Sequence, residues 1–302
     1  MIVISTINFD ESAADVMDWL GDEHVVRVNN DSVRGDFAEF ACNVSPQSVR
    51  DPKGIWFRKG NRTSITDPSI PVAFRAHMSA EMYALSGLHY IRGRNTRVLG
   101  SADYVFTNKL AVLQKFESHG LATPPTLVTT KKESLTEFYQ QHREVIVKPL
   151  SDGTRFSLPS GEFKIYVEKI DDAFISTLPE TFFPALFQKH IPKEYEIRVF
   201  FLAGKCYCSA IFPQGAQNNT DYRKSLQAGR VRSVPYRLPA HTEPKLAAVM
   251  EDLRLNTGSI DIIRTPDGEY VFLEINPSGQ FGSQSSICNY YIERDIAQFL
   301  SK

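Results

Sequence analysis

The stretch from Gly258 to Asn276, GSIDIIRTPDGEYVFLEIN, constrains the fold more than any other part of the chain. Two β-rich runs flank Pro266-Asp267-Gly268, a turn signal, so the segment should close as an antiparallel hairpin. Register then decides which side chains share a face. A four-residue loop sets Arg264 opposite Glu269 and Asp261 opposite Phe272, whereas a two-residue loop shifts the pairing until Asp261 faces Glu274. Either register leaves Asp261, Glu274 and Asn276 on one face. Two carboxylates and an amide oxygen converging there repel one another unless a cation lies between them, and hard oxygen donors suit Mg2+. A metal held by few protein ligands takes the remainder from phosphate oxygens. The plain alternative is a solvated hairpin face with unrelated acids, and residues elsewhere have to decide. After the hairpin, Pro277 ends the ladder, and Gly279 and Gly282 are expected to let the chain turn closely past phosphates.

Upstream, Lys148 ends the apolar strand Val145-Ile146-Val147 directly before Pro149, so its ammonium projects from a fixed strand end. Lys109 begins a helix lined by Leu110, Leu113 and Phe116 that stops at Gly120. Its charge there opposes the helix dipole, a placement tolerable beside a phosphate that both attract. The polar turn Ser151 to Arg155 has one glycine and no G-K-[ST], so it is not a Walker A loop, but it could fold over phosphates. The strand Phe187-Gln188-Lys189-His190-Ile191 breaks at Pro192, and a strand freed from its ladder exposes backbone N–H and C=O groups suited to an adenine edge. His190 reads as a hinge side chain rather than an acid-base catalyst. Glu196 and Arg198 share one face of the next strand, and Arg223 and Lys224 stand in the loop-like TDYRKS. An arginine fork pairs two oxygens of a carboxylate or phosphate at once. Taken singly, the lysines could be solvated and the arginines could form surface salt bridges.

At the N-terminus, Ile2 to Ser5 and Val25 to Val28 read as parallel strands joined by a helix after Asp10, with Ala13, Val16, Trp19 and Leu20 on its apolar face and Gly21 as its stop. No G-x-G-x-x-G follows the first strand, so this domain reads as scaffold. A boundary is expected near residue 105, after which many strands and few helices give an α+β second half rich in antiparallel pairs. The 34 Lys+Arg against 35 Asp+Glu leave a net charge of -1, with no global field to recruit nucleic acid or an anionic membrane. The start, MIVISTINFDES, lacks a basic region typical of signal peptides, and no apolar run approaches the ~20 residues of a membrane span, so a cytoplasmic protein is expected. Cys42, Cys206, Cys208 and Cys288 fit neither a disulfide framework nor a zinc site and should be free thiols, with Cys206 and Cys208 packing on one strand face.

In order along the chain, Lys109, IVKP, QKHI, EIR, YRKS and D…E-x-N resemble an ATP-grasp ligase, over roughly residues 105 to 285. FQKHIPKEYEIRVFFLAGK, SAIFPQ, TDYR, and the N-terminal VMDWL and GIWFRKG are similar to the microviridin-type and grasp-with-spasm maturases of ribosomal peptides, the graspetide synthetases. The resemblance implies an α/β and α+β architecture: a Rossmann-like pre-ATP-grasp domain over residues 1–105, a central lobe over 106–190, and a C-terminal lobe over 191–302, with the two lobes clamping ATP. It implies that Lys109 and Lys148 hold phosphates, that Gln188, Lys189, His190 and Ile191 line the adenine hinge, and that Glu196 reaches the nucleoside. Asp261, Glu274 and Asn276 would hold two Mg2+ ions. Arg198 and Arg223 would bind the transferred phosphoryl group and the acceptor carboxylate, with Lys224 and Ser225 beside them. The implied reaction activates Asp or Glu side chains of a precursor peptide as acyl phosphates, which a Ser or Thr hydroxyl or a Lys amine attacks. A leader segment of that peptide would dock on the central lobe, and maturases of this kind are often dimers. The hairpin alone also resembles the ribosomal-protein glutamate ligases, which add free amino acids to an acceptor. A non-catalytic ATP-binding scaffold is the third possibility.

Overall fold

A computed structural model of the chain describes residues 1–29, 52–59, 69–86, 96–101, 107–150, 155–158, 161–164, 167–213 and 231–302. Strand β1, Ile2–Thr6, is buried at every position, as a central strand of a parallel sheet covered on both faces must be. It pairs in parallel with β2, Val25–Asn29, and β3, Gly54–Phe57, and β3 pairs in parallel with β4, Arg97–Leu99. Helix α1, Glu11–Leu20, makes the expected crossover and buries Ala13, Val16 and Leu20. Trp19 differs from expectation: it is 49% exposed and meets Tyr291 edge-on. Helix α2, Val72–Ser86, separates β3 from β4.

Helix α3, Lys109–Ser118, begins at the expected lysine and buries Val112, Leu113 and Phe116, whereas Leu110 faces outward. The next sheet has the order β5-β10-β6-β9, formed by Thr126–Lys131, Thr181–Lys189, Val145–Lys148 and Glu168–Ile170, all neighbours antiparallel. Helices α4, Lys132–His142, and α5, Asp172–Thr177, flank it, with Leu135 and Ile175 packed on Val145 and Phe187. A separate ribbon pairs β7, Arg155–Leu158, with β8, Gly161–Lys164.

The last sheet is antiparallel throughout, in the order β13-β12-β11-β14-β15: Val231–Tyr236, Lys205–Pro213, Tyr195–Leu202, Thr257–Arg264 and Tyr270–Asn276. Alternation on β11 and β14 sends Ile197, Val199, Phe201, Ile260 and Ile262 to one face, where α3 and α6, Thr242–Asp252, cover them. Cys208 joins this core with Cys206 at its border; both are free, as expected, and burial pushes each thiol up to about 12. Cys288 is also free, and Cys42 lies outside the described residues.

The opposite face of this sheet is divided. At one end Phe200, Leu202 and Tyr207 join Ile2, Ile4, Val16 and Trp56 in a single core that also takes in helix α8, Ile292–Ser301. The close approach of α8 to β3 needs a glycine, because a Cβ on Gly54 would sit 2.4 Å from the Leu300 carbonyl oxygen. Helix α7, Gly282–Cys288, precedes α8. The second half of the chain therefore holds more helix than its strand-rich pattern suggested. Leu246, Val249 and Met250 in α6 carry the helical spacing that marks it. At the other end, the same sheet face stays polar.

Candidate active site

The hairpin closes with neither of the expected loops. Arg264 pairs with Tyr270, and Thr265 to Glu269 form the connection, tied by the Gly268 N–H to the Thr265 carbonyl and the Glu269 N–H to the Thr265 hydroxyl. Asp261 nonetheless pairs with Glu274, because the register shifts between Asp261 and Ile262. The cause is packing. Ile262 pairs with Phe272 and Ile260 with Ile275, and all four lie in the core. Phe272 and Ile275 are three residues apart, so strict alternation cannot bury both, and a bulge at Leu273 absorbs the extra residue. Glu274 is thereby set on the face of Asp261, and Asn276 joins them opposite Ser259.

Across the strands the pairing builds one row, Ser209, Arg198, Asp261, Glu274. Arg198 donates from Nη1 to both Asp261 oxygens, at 2.7 and 3.1 Å, with each side chain 14% exposed. Lys109 continues the row from α3. Its Nζ donates to the Pro149 carbonyl at 3.2 Å and lies 4.0 Å from Glu274 Oε2. The helix start opposes this lysine less than expected, since the Asn108 side chain accepts from the Leu110 and Ala111 N–H groups and two acceptors face the ammonium. Lys109 is 9% and Lys148 8% exposed, so neither is the solvated surface lysine of the plain alternative. Lys148 ends β6 opposite Leu186, and its neighbour Pro149 supplies the carbonyl that Lys109 holds.

The donor set is all oxygen, two carboxylates bordered by cationic side chains with an exposed amide, which fits Mg2+ rather than a softer metal. Among the described residues no cluster of three or more His, Cys, Asp and Glu is present, so this candidate set depends on Asn276 as its third donor. Asn276 Oδ1 accepts from the Ser278 N–H at 3.0 Å, and its second lone pair can serve a cation. Gly279 has a role other than the expected approach to phosphates. A Cβ there would lie 2.1 Å from Ser259 Oγ, so the glycine lets the turn seat on β14. At Gly282 the nearest atom to a Cβ is Ser12 Oγ at 3.6 Å, an ordinary contact that requires no glycine.

The expected hinge segment begins where β10 ends at Lys189. Gln188 is buried, and its Nε2 donates to Thr126 Oγ1 at 2.8 Å, a link that fixes the strand end. Two backbone donors expected to face a ligand are engaged within the protein: Lys189 N–H donates to the Pro125 carbonyl and His190 N–H to that of Glu144. His190 Nδ1 lies 3.1 Å from Glu144 Oε2, and burial lowers its pKa against the pull of that carboxylate. A neutral imidazole in the strand connection fits the hinge reading. Ile191 is half-buried just beyond, and the Glu194 N–H donates to the Arg264 carbonyl, joining the hinge to the last hairpin. Glu196 lies one row from Arg198 on the same face and is held by the Lys193 ammonium. Arg223, Lys224, Ser225 and residues 151–154 of the turn that follows Lys148 lie outside the described residues.

Sequence reasoning missed three contributors. Ser209 is 1% exposed beside Arg198, with its Oγ unpartnered, and an isolated serine in KCYCSAIF carries no signal that could have singled it out. Gln284 donates from Nε2 to the Arg198 and Tyr207 carbonyls, holding the row from α7. Arg58, from GIWFRKG, donates to the turn that follows Asn276. Among the described residues no helix is long and apolar enough to cross a membrane.

A family model described as prokaryotic glutathione synthetase, ATP-grasp domain, matches residues 108–260, just over half of the chain. Comparison with curated proteins returns no match. Among solved structures, the macrocyclase MdnC bound with precursor peptide MdnA, from Microcystis aeruginosa, is 25% identical with a TM-score of 0.81 over 99% of each chain. A Chryseobacterium gregarium RiPP-associated ATP-grasp ligase in complex with ADP and a leader and core peptide is 22% identical, with a TM-score of 0.84 over 99% of this chain and 96% of that one. The ATP-grasp ligase PsnB complexed with minimal precursor, Mg and ADP is 16% identical, with a TM-score of 0.76 over 99% and 96%. The expected ATP-grasp fold is borne out, and so is the resemblance to peptide maturases. The chain belongs to the prokaryotic glutathione synthetase ATP-grasp domain family.

Proposed function

We propose that this protein is an ATP-dependent carboxylate ligase that closes side-chain ester or amide links within a ribosomal precursor peptide. The observation that carries the reading is the row Arg198, Asp261, Glu274 and Lys109, in which two adjacent carboxylates are flanked by two cations, with Lys109 also bonded to the carbonyl that follows the Lys148 strand end. A casual acidic surface would not place two lysines under 10% exposure at the same edge.

In this reading Asp261, Glu274 and Asn276 hold two Mg2+ ions, which when bound neutralise the triphosphate charge. Lys109 and Lys148 bind phosphate oxygens. Gln188 braces the strand end, Lys189, His190 and Ile191 border the adenine, and Glu196 takes the nucleoside. A side-chain carboxylate of the peptide attacks the γ-phosphorus, the bond to ADP breaks, and Arg198 with Arg223 balances the charge on the transferred group, beside Lys224 and Ser225. A hydroxyl or amine of the same peptide then attacks the acyl carbon, loses its proton, and phosphate leaves. The protein contributes position and charge, with no covalent intermediate of its own. The peptide's leader segment docks on the central lobe, folding as it binds.

Incubation with ATP, Mg2+ and a cognate precursor is expected to yield ADP and a product lighter by one water per link. A product heavier by amino-acid residues would establish addition of free amino acids instead, and tight ATP binding without ADP release on any acceptor peptide would establish a scaffold. The proposal of a homodimer is checked by light scattering of the full chain, where a monomer mass at micromolar concentration would refute it.

A further inference from the structure

The motif GIWFRKG has no part in the reaction above, yet its arginine reaches the end of the candidate metal-bearing strand. Arg58 is 3% exposed immediately after β3, and its backbone N–H donates to the Ser5 carbonyl, so its base is fixed to the parallel sheet. Its guanidinium lies against the neighbouring rings of Trp56 and Phe281, 5.8 and 5.5 Å from their centroids. From there Nη1 donates to the Ser278 carbonyl at 2.7 Å and the Gly279 carbonyl at 3.0 Å, and Nη2 donates to Gln280 Oε1 at 2.8 Å. Three consecutive turn residues are held by one fork.

Asp10 orients that fork from behind. It occupies the N-cap position of α1 but makes no side-chain cap there; it accepts from Thr6 Oγ1 at 2.6 Å and Lys59 Nζ at 3.1 Å, and lies 3.4 Å from Arg58 Nε. The turn is seated as firmly on its other side. Gly279 rests against Ser259, its N–H donates to the Asn276 carbonyl at 3.0 Å, and the Ser278 N–H donates to Asn276 Oδ1. A buried arginine is costly where apolar packing would serve, so its presence against two aromatic rings is explained by the acceptors it holds in place.

We propose that Arg58 is a positioning residue: it holds the Ser278–Gln280 turn and through it sets Asn276 and Glu274 for the divalent cation, an inference that rests on reading Asp261, Glu274 and Asn276 as metal ligands. Outer-shell partners of this kind command about 10–100-fold in metal affinity.

The test is Mn2+ binding by the full chain in the presence of ADP, followed by electron paramagnetic resonance, for wild type, Arg58→Met, Arg58→Lys, Gln280→Ala and Glu274→Gln. Metal-free ADP binding and circular dichroism serve as checks on folding. The expected result is Mn2+ affinity lowered roughly 10–100-fold in Arg58→Met, partly restored in Arg58→Lys and lowered less in Gln280→Ala, with ADP affinity in chelator unchanged. Wild-type Mn2+ affinity in both Arg58→Met and Gln280→Ala, while Glu274→Gln weakens it, would overturn the role of Arg58 and leave the ligand assignment standing. Unchanged affinity in Glu274→Gln would overturn both. If Arg58→Met fails to fold, Gln280→Ala decides, since Gln280 is exposed and its loss leaves the buried network in place.

Discussion

One face of the five-stranded sheet carries Ile197, Val199, Ile260, Ile262, Phe272 and Ile275 into the core beneath α3 and α6, while the other carries Arg198, Asp261 and Glu274. The strands are the same, and successive residues are assigned to opposite tasks. The apolar face works by burial, at ~1.5–3 kcal/mol for each large side chain removed from water. The polar face works by charge placed where the parallel sheet and α8 stop covering it, since Phe200 and Tyr207, one row along, are already in the other core. Stability and chemistry are therefore separable here at single-residue spacing. The core face fixes the backbone to which the polar face owes its geometry.

The largest expected effect comes from exchanging the two tasks. Asp261→Asn should leave the fold intact and abolish ADP formation, a loss exceeding the roughly 10–100-fold that an outer-shell partner commands. Ile262→Ala, one residue away, should cost about 2–5 kcal/mol in urea unfolding and spare the activity of the molecules that remain folded. A destabilised but active Asp261→Asn would break the separation of the faces.

Two lysines of one helix sharpen it further. Lys109 is buried beside Glu274, and Lys115, two turns on, makes an exposed pair with Asp252 at 3.0 Å. Lys109→Ala should remove about 1.5–3 kcal/mol of ATP binding, roughly tenfold or more in KM. Lys115→Ala should change stability by less than about 1 kcal/mol and KM not at all. Equal effects of the two on KM would mean that helix charge, rather than position in the row, attracts the nucleotide.

Much of this site is legible in the sequence because strand alternation is a local rule. Glu274 and Asn276 share a face by alternation, Asp261 joins them through the bulge that offsets the five-residue connection, and Lys109 and Lys148 announce themselves by standing at a helix start and a strand end. The loop lengths failed for a reason equally visible in hindsight: Phe272 and Ile275 are both large and apolar at a spacing that no regular strand can bury, which requires a bulge. Trp19 was misassigned because helical spacing marks a stripe without saying how wide a stripe its neighbours cover. Arg58 and Gln284 were out of reach, since their contacts join residues far apart in the chain and depend on how α7 and the parallel sheet meet.

The smallest effect concerns Asp10, at the start of α1 behind Arg58. Burial pushes its carboxyl up, but the Arg58 guanidinium, the Thr6 hydroxyl and Lys59 together outweigh burial, so its pKa falls below the ordinary 3.8. A carboxyl depressed by folding contributes stability above its unfolded pKa and loses that contribution as the pH falls through its folded one. Wild type should therefore lose part of its unfolding free energy below about pH 4, as the network behind Arg58 is protonated. Asp10→Asn should be less stable at pH 7 and should lack this part of the acid slope, as urea unfolding at several pH values would reveal. If the two proteins lost stability in parallel below pH 4, acid lability would have to come from carboxylates elsewhere. Candidates are the exposed Asp252 and Glu144, whose pKa values are lowered by hydrogen bonds to Lys115 and His190. A slope lost only in Asp10→Asn would instead place acid sensitivity in the buried link between the parallel sheet and the turn after Asn276, and would tie the stability of that link to the turn beside the candidate metal ligands.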